Sequence, residues 1–349
     1  MIDFDNFFYV IFTTFLLTSF IIYVFNKNNI LIDQVSYSAH KKLKEQYLKS
    51  PSLCGGIIIY ICSILFFKDL SLLILFSFFI LVIGLLSDTN KMSSPGKRIF
   101  FQFIVCLGFI VLTDLGIKDL RIETLNYLFN FKIISILFTI FCILILINGS
   151  NFLDGLNTLV IGYYSLVCFF LILLSYDFNL LINPNIKLLF IFLIVLFPFN
   201  FFGKIYLGDS GSYLVAFFIS FFVIDFSLKN SLVSPYLICF LLWYPAFENL
   251  FSIIRRLLSN NKADVADQHH LHQMIYNYFI KKKIINNKYI NTLVANLINI
   301  YNLIIFISFY KLYSNTKILI FVTITNIVIY LVLYFLMKKK LFLNINFKK

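Results

Sequence analysis

Long apolar runs separated by short polar stretches account for most of this chain. Eleven runs stand out, at about 4–25, 55–67, 70–86, 99–115, 133–148, 157–175, 186–202, 211–226, 233–251, 291–310 and 315–337. A bilayer core takes about 20 apolar residues per helix. Most runs approach that length; 55–67 is short and predicts a tilted helix or one partly buried in protein. The expected fold is therefore an all-α polytopic membrane protein with about 10–11 transmembrane helices. The whole chain, 1–349, reads as one integral-membrane domain with no soluble module. The first run follows Asp3 and Asp5 rather than a basic region, which is not the pattern of a cleaved signal peptide.

Composition agrees with the pattern: 60% of residues are hydrophobic and 13% charged, which excludes an ordinary soluble domain. Charge adds an orientation. The face holding 26–54, 87–98, 149–156, 203–210, 252–290 and the tail from Lys338 carries 21 of the 29 Lys and Arg. The positive-inside rule makes that face cytoplasmic and puts the N-terminus outside. A basic face also suits anionic lipid headgroups and phosphorylated ligands, and nothing points to nucleic acid. Topology alone accounts for many of the lysines. The six cysteines show no metal or redox spacing; all but Cys54 fall in apolar runs and read as packing residues.

The polar clusters matter because they share that face. Asn148-Gly-Ser-Asn151-Phe-Leu-Asp154-Gly-Leu-Asn157 closes one run. Asn148, Asn151 and Asp154 are spaced i, i+3, i+6, which lines them along one face of a helix. Their oxygens are hard ligands suited to Mg²⁺, an ion that keeps waters and bridges substrate phosphates. A capped helix end is the structural alternative. Gly208-Asp209-Ser210-Gly211-Ser212 opens the run at 211–226. Its glycines permit close backbone approach, its amides sit at an anion-attracting helix end, and Asp209 is a second candidate metal ligand.

Ser87-Asp88, followed by Lys91, Lys97 and Arg98, sets one acid among three bases, either to hold a phosphate or as a hydrated loop. Lys41, Lys42, Lys44 and Lys49 form a basic stretch ahead of Pro51 and Gly55-Gly56. Arg255-Arg256, Asp264, Asp267, His269, His270 and His272 occupy the longest cytoplasmic loop, with three of the four histidines in one tetrapeptide. Histidine binds phosphate when charged or a metal when neutral. A zinc site lacks a Cys or an ordered fourth ligand there.

In this order, over about residues 30–275, the clusters resemble the polyprenyl-phosphate N-acetylhexosamine-1-phosphate transferases, the glycosyltransferase family 4 enzymes of WecA and MraY type. Asn151-Phe-Leu-Asp154-Gly, Gly208-Asp-Ser-Gly-Ser and Asp267…His270-Leu-His272 carry the likeness, and the Asp-x-x-His-Leu-His spacing is closer to the WecA type. The resemblance implies a cytoplasmic-face cleft, with two C-terminal helices (291–337) beyond the family-like core. It implies transfer of a UDP-activated N-acetylhexosamine 1-phosphate, most simply GlcNAc-1-phosphate, to undecaprenyl or another polyprenyl phosphate. UMP is released, and the product starts O-antigen, capsule or related surface-glycan synthesis at the bacterial inner membrane. Mg²⁺ is the implied cofactor, with Mn²⁺ as substitute.

By motif position, Asp88, Asp154, His270 and His272 are the implied catalytic residues, and Asn151 and Asp209 the metal-site residues. Asn148, Asn157, Lys97, Arg256 and Ser210 are the implied substrate-binding residues, with Asn157 a candidate for reading uracil. Glu248 matches the acid that precedes the histidine loop. Two departures from the family pattern stand out: Ser87 where the first of two adjacent aspartates is usual, and Ser52 where proline is usual before the double glycine. Other readings are the phospho-N-acetylmuramoyl-pentapeptide transferase, a transporter and, because of Ser87, an inactive scaffold homologue. A transporter would place its polar residues near the bilayer midplane and often show two related halves.

Overall fold

The computed structural model describes residues 4–32, 51–258, 269–282 and 287–342. The basic stretch Lys41, Lys42, Lys44 and Lys49, and the acids Asp264 and Asp267, lie outside the described residues. Within them the chain is helical and without strands: α1 Phe4–Lys27, α2 Gly55–Phe66, α3 Ser71–Asp88, α4 Pro95–Thr113, α5 Glu123–Phe129, α6 Lys132–Leu153 and α7 Leu159–Phe178, followed by α8 Asn185–Phe201, α9 Gly208–Lys229, α10 Pro235–Leu241, α11 Trp243–Leu258, α12 Leu271–Lys282, α13 Asn287–Phe309 and α14 Thr316–Phe342.

Eight of these helices are long and apolar enough to cross a membrane: α1, α3, α4, α6, α7, α9, α13 and α14. The pair α10–α11 makes a ninth if read as one span bent by 75°. The remaining two apolar runs are the shorter helices α2 and α8, of 12 and 17 residues. At about 1.5 Å rise per residue, α2 is only about 18 Å long, well short of a hydrocarbon core. The expectation of 10–11 spans is thus met in number of apolar elements, while fewer of them have full spanning length. Two helices, α5 and α12, form in stretches between the apolar runs.

Helix α9 is the most enclosed span, packed by α2, α3, α6, α7 and α10. Its apolar residues are buried all round, as expected of a central helix. Its contact with α3 is backbone-close: a Cβ on Gly84 would lie 2.2 Å from Ser210 Cα. That approach brings the carboxyl end of α3 directly against the amino end of α9. The segment before α2 is tied to the same place, since Tyr206 N–H donates to the Ser52 carbonyl (3.0 Å) and Gly55 N–H to the Tyr206 carbonyl (3.2 Å).

Two irregular stretches inside the bundle are satisfied by side chains, as a water-poor interior requires. At the α10–α11 break, Tyr163 hydroxyl donates to the Leu241 carbonyl (2.8 Å), and Trp243 Nε1 donates to Asn302 Oδ1 (2.8 Å). Between α6 and α7, Thr158 takes the left-handed conformation (φ 68°), which costs a β-branched residue of order 1–3 kcal/mol. Asn side chains hold it: Thr158 N–H donates to Asn200 Oδ1 (2.5 Å), and Asn299 Nδ2 donates to the Thr158 carbonyl (3.0 Å).

Helix α11 is inverted relative to a soluble amphipathic helix. Leu250, Ile253, Ile254, Leu257 and Leu258 are exposed, whereas Glu248, Asn249 and Ser252 are buried. An outward apolar face suits lipid, and the inward polar face meets the histidines.

A candidate active site at the amino end of helix α9

The amino end of α9 gathers three carboxylates. Asp88, the last residue of α3, accepts the Asp209 N–H on Oδ1 (2.9 Å) and the Ser210 N–H on Oδ2 (3.1 Å). Asp154, just past α6, accepts the Gly208 N–H on Oδ2 (3.1 Å). Three first-turn amides therefore have carboxylate partners, which stabilises both the helix end and the acids. Gly208 sits at φ +74°, and the space a Cβ would need is filled by the Asp88 carboxyl. Gly211 meets Gly56 of α2 in the same way. At these glycines the space a Cβ would need is taken by neighbouring protein atoms.

Asp209 has a different set of partners. Its Oδ2 accepts the Ser87 hydroxyl (2.5 Å) and Arg98 Nη1 (3.1 Å), and Arg98 Nη1 also donates to Ser87 Oγ (2.8 Å). Tyr213 hydroxyl, one turn into α9, accepts from Arg98 (3.4 Å) and from Asn151 Nδ2 (3.2 Å). A continuous polar chain thus runs Ser87–Asp209–Arg98–Tyr213–Asn151. The Arg98–Asp209 pair is partly open to solvent, with side chains 20% and 26% exposed, and is made through one nitrogen rather than the bidentate fork.

The segment after Asn151 links this centre to a second one. Phe152 packs on the His270 ring (4.8 Å between centroids) and lies under Arg256, whose guanidinium carbon is 5.7 Å from the ring centroid. His272 stacks on His270 (5.7 Å) and reaches Gly155, where its Nε2 would be 3.3 Å from an added Cβ. His270 Nδ1 and Glu248 Oε1 are 2.8 Å apart, both residues fully buried. Asp88, Asp154, Asp209, Glu248, Arg98, Arg256, His270 and His272 are thereby connected through residues 151–155.

With this arrangement in view, the comparisons with known proteins show what the chain is similar to. Residues 70–227 match the sequence model of Glycosyl transferase family 4. Over this segment the chain is similar to glycosyl transferase family 4. The segment contains Ser87, Asp88, Arg98, the 148–157 stretch and the opening of α9; Glu248 and the histidines lie beyond it. The chain is 29% identical over 209 residues to a "Probable undecaprenyl-phosphate N-acetylglucosaminyl 1-phosphate transferase" of Bacillus subtilis, covering 57% of this chain and 56% of that protein. It is 30% identical over 176 residues to a "Phospho-N-acetylmuramoyl-pentapeptide-transferase" of Dictyoglomus turgidum, covering 48% of this chain and 56% of that one. The chain spans a little over half the length of the curated relatives it matches.

The expected site residues separate in the structure. Asp88, Asp154, Asp209, Asn151, His270, His272 and Arg256 join the connected set. Lys97 does not: it is exposed, and its neighbour Arg98, one residue further round α4, takes the inward place. Asn148 lies a turn deeper and donates to Gln102 Oε1 (3.0 Å) and the Leu144 carbonyl (2.9 Å), a contact between α4 and α6. Ser210 is buried, and its amide, expected to face an anion, is taken by Asp88. Asn157 is 2% exposed, and its N–H donates to Asn291 Oδ1 of α13 (2.7 Å). It sits at the anchored turn before α7. Tyr213 and Tyr330 were not expected at all, since a tyrosine within an apolar run carries no polar signal until its neighbours are known.

A divalent cation fits the carboxylate end in one respect. Among the described residues no three of His, Cys, Asp and Glu stand close enough to form a metal cluster. Mg²⁺ does not require one, because it is commonly held by one or two carboxylates, waters and substrate phosphates. Asp209, with its second oxygen outside the Ser87–Arg98 contacts and Asn151 linked to it through Tyr213 and Arg98, offers that kind of hard-oxygen set.

Proposed function

We propose that this protein transfers N-acetylhexosamine 1-phosphate, most simply GlcNAc-1-phosphate, from a UDP-sugar to a polyprenyl phosphate. A lipid phosphate oxygen attacks the β-phosphorus of the UDP-sugar. The bond from that phosphorus to the bridging oxygen breaks, and UMP leaves with the bond electrons. The observation that carries this reading is the meeting of Asp88, Asp154, Asp209 and Arg98 at one helix end, inside the segment that matches the family.

Both substrates are anionic, so their approach is repulsive until cationic groups screen it. Arg98, poised on Asp209, and Arg256, His270 and His272 across the 151–155 segment are the groups to receive phosphate oxygens. Arg98 takes the role first assigned to Lys97. Asp88 and Asp154 keep α9 in place, so Asp209 and Asn151 are held in fixed relation. Those two would hold the cation, which when bound stabilises negative charge on the departing UMP. The lipid phosphate has a second pKa near about 6, so it is largely ionised at neutral pH and needs no strong base. The basic face is read as cytoplasmic, in a bacterial inner membrane.

Purified protein in detergent, undecaprenyl phosphate, Mg²⁺ and a panel of UDP-sugars should give metal-dependent UMP release with one donor. The Dictyoglomus relative motivates including UDP-N-acetylmuramoyl-pentapeptide; UMP from that donor alone would move the assignment to peptidoglycan precursor synthesis. No UMP with any donor from folded protein would overturn the reading in favour of an inactive scaffold or a transporter.

A further inference from the structure

Glu248 is fully buried, and both of its oxygens are committed. Oε1 meets His270 Nδ1 at 2.8 Å, and Oε2 accepts the hydroxyl of Tyr330 at 2.8 Å. Tyr330 belongs to α14, the last described helix, which lies outside the segment matched by the family. Burying a carboxylate costs several kcal/mol, roughly, unless its lone pairs are met. Here one partner is the imidazole and the other comes from a helix more than fifty residues further along the chain. The same helix braces the neighbourhood a turn later. Arg255 lies over the Tyr334 and Phe251 rings (5.6 and 5.5 Å) and donates to the His269 carbonyl (2.8 Å).

We propose that Tyr330 is a positioning residue: with Glu248 it holds the His270 imidazole against Phe152 with Nδ1 as the hydrogen-bond donor. The Tyr330 hydroxyl has one proton to give. By giving it to Oε2 it leaves Oε1 as an acceptor in fixed orientation toward His270. Without it, the Glu248 carboxyl is free to rotate or to take the shared proton, and the imidazole loses its single tautomer. Among the described residues, the charged and titratable groups around the dyad include His272 on the His270 ring, Arg256 over Phe152, and Tyr244, Tyr330, Tyr334 and Arg255 on the α11 and α14 side. The role of His270 in phosphate contact rests on the function proposed above; its orientation by Tyr330 does not.

The test is nitrogen-15 NMR of full-length protein labelled at histidine, in detergent and without substrates. The chain has four histidines, and His270 is assigned as the signal lost in His270→Gln. The expected wild-type signature is a single protonated, hydrogen-bonded Nδ1. Tyr330→Phe should convert it to a tautomer mixture, and lower kcat roughly tenfold while leaving both KM values within about twofold. Tyr301→Phe, which removes a hydroxyl donating to Asn326 Oδ1 between α13 and α14 (2.9 Å), is the packing control and should leave the signal unchanged. If Tyr330→Phe fails to fold, Glu248→Gln, which keeps the shape and removes the charge, should show the same spectral change. An unaltered His270 signal in the folded variant, or an equal change in Tyr301→Phe, overturns the proposal. If wild type proves inactive, the function falls while the spectra still decide the positioning.

Discussion

Asp88 and Asp209 sit one hydrogen bond apart and do different work. Asp88 spends both oxygens on backbone amides of α9, whereas Asp209 keeps one oxygen out of its contacts with Ser87 and Arg98. Their variants should therefore differ. Asp209→Asn is expected to abolish turnover with the melting temperature nearly unchanged, read by UMP release and thermal scanning. Asp88→Asn should lose activity and also melt lower, because each charge-assisted bond to a buried amide contributes about 1.5–3 kcal/mol. Near wild-type turnover in Asp209→Asn would remove it from the metal site. The motif at 208–212 made Asp209 a candidate from sequence. The division of labour with Asp88 depends on which amides point where, and no spacing encodes that.

Among the elements, the α3–α9 contact is decisive because it sets Asp88 against Asp209 and the amides at the start of α9. Its requirement is spatial: at Gly84 any Cβ would fall on Ser210. Gly84→Ala should force the helices apart and destabilise by roughly 1–3 kcal/mol or more, the range for overpacking a tight contact. Activity should fall with stability, while Gly96→Ala, at an exposed position in the first turn of α4 where an added Cβ would meet only Ser94 Oγ at 3.9 Å, should be silent in both assays. Equal melting of Gly84→Ala and wild type would mean the two helices are not held as close as described. A glycine in an apolar run is legible as a residue type, but its partner helix is not. Likewise the 75° break at 241–243 has no proline or glycine at the bend itself to announce it. It is made possible by Tyr163 and Asn302 from other helices.

For the whole molecule, the polar clusters lie at one end of the bundle and the Lys118–Asp114–Lys132 group at the far end of α4. Cysteine substitutions at the exposed Lys97 and Lys118, which flank α4, should react with an impermeant maleimide from opposite sides of sealed vesicles. Lys97→Cys should label only from the cytoplasmic side. Labelling of both from one side would overturn the reading of α4 as a span.

The sequence determined the class of this protein, its apolar elements and most of the residues that the structure gathers in the candidate site. Hydrophobic runs long enough for a bilayer have few other uses, and acids, amides and histidines are too costly near lipid to recur without cause. It placed Asp88, Asp154, Asp209, Asn151 and the histidines on one face because span counting fixes sidedness even when no contact is known. Only the tertiary structure chose Arg98 over Lys97, sent Asn148 and Asn157 into helix packing, and brought Tyr213 and Tyr330 to the carboxylates. Those outcomes turn on about 100° of helix rotation per residue and on contacts between segments far apart in the chain, and a linear pattern carries neither.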